Sequence, residues 1–146
     1  MPPACCSPPW RSWGPKINAD ESALWLSEII PAPLEFRYVD KRRLGLASLA
    51  DAQSLALTTT FSTIDTGLQS QDDGTDVRCE LLTVARTGQP EVAAAINAAA
   101  DTFEKAGGLL PAQPGVMLPS ILDVPDVTVH HGLFIAPYLW GGQTPQ

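Results

Sequence analysis

Two adjacent histidines, His130 and His131, are the side chains of this chain best suited to proton transfer or metal binding. On a strand, neighbouring side chains point to opposite faces, so the two imidazoles cannot share one ion. Asp123 and Asp126 lie close in sequence but supply no ligand spacing. A small metal-assisted hydrolase built on His130, His131 and Asp123 is therefore the weaker of the chemical readings. Nucleophiles fare no better. There is no Gly-x-Ser-x-Gly elbow, and Cys79 alternates with Val77 and Leu81 as a small core residue with no identified base. Asp65, Asp72 and Asp73 sit in turn-forming contexts. Gly107 and Gly108 follow a helix instead of preceding one, the wrong polarity for holding a phosphate. The expectation is a non-enzymatic chain with no cofactor and no metal. Tyr138 and Trp140 are the best binding candidates, because large aromatics with polar tips anchor interfaces. With His131 they form the candidate partner-binding set; packing inside the fold is the competing reading of the two aromatics.

Composition narrows the partner. The 146 residues suffice for one domain. Sixteen acidic residues against nine Lys and Arg leave a net charge of -7. Phosphate backbones demand clustered cations, so nucleic acid is not an expected partner. A cationic protein surface is, since opposite fields steer encounter. The one dense basic run, Lys41-Arg42-Arg43, reads as a solvated loop. Cys5, Cys6 and Cys79 give no disulfide framework, which suits a reducing compartment. No apolar run is long enough to span a bilayer and residues 1–16 contain no apolar leader, so no membrane association and a cytoplasmic location are expected.

Elements follow from periodicity. Residues 1–16, rich in proline and carrying Trp10 and Trp13, read as a poorly ordered arm; residues 17–146 read as the domain. Asn18 or Asp20 caps a helix carrying Leu24, Trp25, Ile29 and Ile30, which Pro31 and Pro33 end. Strands are expected over 34–39, 54–64 and 76–86, the second with Leu55, Leu57, Thr59 and Phe61 on one face. A basic loop separates the first two, and a polar loop over 66–74 the last two. Pro90, Glu91 and the stop at Gly107-Gly108 frame a helix over 90–106, with Val92, Ile96, Ala99, Phe103 and Ala106 as its buried stripe. The proline-punctuated connection 109–125 carries enough apolar residues to pack over the core. Val127, Val129, Leu133, Phe134 and Ile135 read as a last strand, interrupted by Gly132; Pro137 cannot lie in a central strand. Strands at both ends with helices between them make the class α+β.

Taken together, four segments resemble the suppressor-of-fused domain family in its small bacterial form. They are residues 61–68 (Phe-Ser-Thr-Ile-Asp-Thr-Gly-Leu), residues 77–85 (Val-Arg-Cys-Glu-Leu-Leu-Thr-Val-Ala), the helix over 90–106, and residues 133–146 with their Leu-x-x-x-Pro and final Thr-Pro. The resemblance covers residues 34–146. It implies a single α+β domain with a mostly antiparallel sheet and flanking helices, and a protein-binding activity instead of catalysis. The animal member restrains zinc-finger transcription factors, while bacterial relatives look like immunity proteins that silence a toxin. A basic toxin would suit the acidic balance here. Family members continue past Thr-Pro with a further strand and a closing helix, so the resemblance implies a domain lacking both, marginal in stability alone. A degenerate remnant without dedicated function is the blandest alternative.

Overall fold

Asn18 starts the first helix as a capping box. Its side chain accepts the N–H groups of Asp20 and Glu21 at 3.0 and 2.9 Å, and the Glu21 carboxylate accepts the Asn18 N–H at 3.0 Å. Helix α1 runs Ala19–Ile29 and stops ahead of Pro31. A computed structural model of the chain describes residues 18–125 and 127–135. The readings made on residues 1–16 and on Pro137, Tyr138 and Trp140 lie outside the described residues.

After α1 the chain builds a four-stranded antiparallel meander, β1 (Glu35–Val39), β2 (Arg42–Ser48), β3 (Ser54–Thr58) and β4 (Leu82–Ala85), in that spatial order. Strand β2 replaces the expected basic loop. Arg42, Leu44 and Leu46 point to one face of the sheet, Gly45 and Ala47 to the other. Register confirms the alternation: Arg37, Leu44 and Thr58 stand in one row, Phe36, Gly45, Leu57 and Leu82 in the next.

The sheet is apolar on both faces. In front lies helix α2 (Gln89–Lys105), entered through Gly88 and Pro90, whose Val92, Ala93, Ile96, Ala100 and Phe103 pack on Leu44, Leu46, Ala56 and Leu81. On the back, Leu55, Leu57 and Ala47 pack with Ile30 and with half-buried Leu26, Leu34, Phe36, Leu82 and Val84. Arg43 ties α1 to this side, pairing with Asp20 at 3.0 Å while stacking over the Phe36 ring at 5.2 Å. The result is a single α+β domain with a helix flanking the sheet. Gly45 is where the back row is tightest: an added Cβ would lie 2.8 Å from Leu57 Cδ1 and 3.0 Å from Phe36 Cε1. Gly45→Ala should lower the urea midpoint by an amount worth about 1–2 kcal/mol with the slope unchanged. No measurable shift would mean that Phe36 and Leu57 move aside freely.

Two expected strands are shorter than their periodicity. Strand β3 ends at Thr58, and Phe61–Thr63 forms a single 3-10 turn. Phe61 consequently faces the front core, opposite to Leu55 and Leu57, whose face it shares in the strand periodicity. Only Leu82–Ala85 of the 76–86 segment joins the sheet. Glu80 sits where both strands are cut short: its carboxylate accepts the Thr58 hydroxyl and the Phe61 and Ser62 N–H groups at the start of the 3-10 turn.

The connection after α2 does pack over the core, with Ala112 and Leu118 buried. It also contains a strand: β5 (Met117–Leu118) pairs with β6 (Gly132–Leu133) as a separate two-stranded ribbon. Backbone bonds from Gly115 N–H to Phe134 O at 2.7 Å and from Phe134 N–H to Val116 O at 2.8 Å extend the pairing. The expected strand over 127–135 contributes only Gly132–Leu133, and to this ribbon instead of the main sheet. Phe134 fastens the ribbon to the core edge-on against Phe103, which meets Phe61 in the same way, both at 5.7 Å between centroids. Among the described residues no helix is long and apolar enough to cross a membrane.

Candidate functional site

The ribbon has one dry side and one wet apolar side. Its register pairs Leu118 with Gly132 and Met117 with Leu133. Side chains of an opposed pair share a face. Leu118, 3% exposed, faces the core, whereas Met117 and Leu133 are 56% and 57% exposed. Ile135, two residues beyond Leu133, is 68% exposed. Single exposed apolar residues are ordinary, but a cross-strand pair continued by a third along the same strand is a patch.

The two histidines lie just before β6 and are exposed. Each spends its Nδ1 on the chain's own backbone. His130 Nδ1 meets the Leu122 carbonyl at 3.0 Å; since a carbonyl only accepts, this nitrogen carries the proton. His131 Nδ1 accepts the Ser120 N–H at 2.9 Å, so it presents a lone pair. Asp123 is exposed in the same loop. Among the described residues, no three His, Cys, Asp or Glu side chains gather as a metal site. His130, His131 and Asp123 are therefore not assembled as the hydrolase reading requires. Of the candidate partner-binding set, His131 flanks the exposed ribbon; Tyr138 and Trp140 lie outside the described residues.

Two polar constellations escape a sequence reading. Arg42, expected in solvent, is buried at the start of β2. Its guanidinium meets Asp101 at 2.8 Å and Glu104 at 2.5 Å, and donates to the Asn97 carbonyl at 3.3 Å. Lys41 reaches the same two carboxylates at 3.3 and 3.4 Å. Partial burial pushes the Asp101 carboxyl up, but bonds and charge from Arg42 and Lys41 outweigh it and hold the group below its ordinary value. A depressed carboxyl lends stability above its unfolded pKa, and this contribution is lost as pH falls below the ordinary carboxylate value through the folded one. Beside the cluster is a cleft of about 170 Å³ lined by Lys41, Arg42, Thr60, Thr63 and Glu104. Its two cations already face two carboxylates, which leaves little net field for an ionic ligand.

The second constellation is Glu80. Its carboxylate accepts the Thr58 hydroxyl at 2.5 Å and the N–H groups of Phe61 and Ser62 at 2.9 and 3.2 Å, while Thr58 Oγ1 accepts the Leu81 N–H at 2.8 Å. This joins β3, the 3-10 turn and β4 into one corner. An acidic residue directly before the apolar run Leu81-Leu82 was the available signal. Its neighbour Cys79 is half-buried against the front core. Burial first, and the Glu80 charge second, push the thiol up to about 11, so it is not a nucleophile at neutral pH. With Cys5 and Cys6 changed to serine, Cys79 should react with an aromatic disulfide reagent at least tenfold slower in the folded chain than in denaturant. A raised thiol pKa favours the fold below the unfolded value and costs stability as pH climbs from near 9.0 toward about 11. Cys79→Ala should abolish that alkaline loss.

Compared with protein-family models, with curated proteins and with solved structures, the chain matches none.

Proposed function

We propose that the chain is a non-enzymatic interaction domain that binds and restrains a partner protein, with the exposed apolar side of the β5–β6 ribbon as its contact face. The observation that carries this reading is the outward-facing pair Met117 and Leu133, continued by Ile135. Apolar side chains held outward on paired backbone suit a protein partner. His131 beside the ribbon supplies a polar rim, and Tyr138 and Trp140, three and five residues past Ile135, are candidate aromatic anchors. The net charge of -7 favours a basic partner, with nucleic acid and membrane surfaces disfavoured. In its most specific form the reading is a cytoplasmic immunity protein neutralising a basic toxin. The hydrolase alternative draws no support from the geometry, since His130 and His131 are turned to backbone atoms two residues apart.

The test is co-purification of the tagged chain and its Met117→Asp/Leu133→Asp variant, with the retained protein identified, purified and titrated back. A basic partner held by the wild type, lost from the variant and weakened by salt supports the reading. A partner that the variant holds equally well places the contact elsewhere and sinks it.

A further inference from the structure

His130 and His131 close the loop 120–131 with hydrogen bonds of opposite proton demand. Leu122 N–H donates to the His130 carbonyl at 3.2 Å, and the His130 ring donates back to the Leu122 carbonyl. That pair survives a second proton on the ring, because Nδ1 already bears one. His131 differs. Its Nδ1 is the acceptor for the Ser120 N–H, and an imidazolium has no lone pair to accept with. Ser120 also sits at φ 53, a left-handed conformation that a non-glycine residue holds only under constraint. The next residue, Ile121, packs on the front core and lies against Gly132, where an added Cβ would come within 2.8 Å of its Cδ1. Ile121 lines a small apolar cleft of about 120 Å³ together with Leu118, Leu133 and Phe134.

We propose that His131 is a pH-operated latch: neutral, it pins Ser120 and seats Ile121 against the ribbon; protonated, it releases both and opens the apolar cleft beside β6. Neither ring forms an ion pair among the described residues, and the charged side chain described in the loop is Asp123. The latch stands apart from the identity of any partner, because its readout is the free chain.

The experiment is amide exchange and nitrogen chemical shifts by NMR on the full chain, scanned between about pH 5 and 8, where imidazoles change charge. At the upper end His131 should report the tautomer protonated on Nε2 and His130 that protonated on Nδ1. As His131 takes its second proton, exchange at the Ser120 amide should speed up several-fold over the intrinsic pH trend, with the Ile121 methyl shifts moving in step. His131→Asn, whose Oδ1 stands where Nδ1 does and does not titrate, should keep the Ser120 amide protected throughout. His131→Phe should leave it unprotected throughout. A Ser120 amide indifferent to the protonation of His131, or an asparagine variant that still responds to pH in this range, overturns the proposal.

Discussion

Phe103→Ala will remove about 4 kcal/mol of unfolding free energy, read as a lower urea midpoint at nearly unchanged slope. The ring is fully buried at the centre of the front core. Phe61, from the 3-10 turn, and Phe134, from the ribbon, each meet it edge-on at 5.7 Å. Deleting it removes apolar burial, leaves a cavity between helix and sheet, and dissolves both aromatic pairs at once. Against a total stability of about 5–15 kcal/mol for a domain of this kind, that loss brings the chain close to unfolding at ambient temperature. Phe36→Ala, on the half-buried back row, should cost less than half as much. Equal costs for the two would mean that the front core is not the main source of stability.

A second large loss is expected from Gly67→Ala, about 3 kcal/mol. Gly67 has φ 83, and a Cβ there would land on the backbone carbonyl oxygen of Gly108. The neighbouring chain cannot yield easily. Asp65 Oδ1 accepts the Gly67 N–H at 2.9 Å, and buried Thr66 accepts the Ala112 N–H at 3.1 Å. The turn after the 3-10 segment is thus locked onto the chain leaving α2, and alanine adds a backbone clash to an unfavourable φ. Gly74 supplies the control. It has φ 69 but nothing within 4 Å of an added Cβ, so Gly74→Ala pays the conformational cost alone, about 1 kcal/mol. Thermal unfolding of the two variants side by side separates the effects; matching midpoints would show that the close approach to Gly108 contributes nothing.

Where the sequence speaks through local chemistry, it was legible. Asn18, one of the two caps the sequence offers, starts α1, and Pro90, Glu91 and Gly107 frame α2 to within a residue. The α+β class followed from these and from the alternating segments. What failed depended on distant partners. Arg42 looks like a solvated cation until Glu104, 62 residues later, is brought beside it, and this hid strand β2. Glu80 reads as one more strand residue until its carboxylate is seen holding Phe61 and Ser62, and this hid both strand ends. The candidate site was half legible. His131 is legible as a partner-binding candidate, though the sequence places it on a strand and the structure just before one, whereas Met117 reads as part of a connecting loop. Only pairing with Leu133 makes the two a common face, and nothing in the local pattern of either segment encodes that pairing.

The proposed grip of the ribbon face on a basic protein is tested by calorimetric titration of the purified partner into the wild-type chain and into Met117→Asp/Leu133→Asp, both checked for equal urea midpoints. Two lost apolar anchors at about 1–2 kcal/mol each predict an affinity reduced roughly 100-fold. An affinity within threefold of wild type, with the fold intact, would exclude the ribbon as the contact face.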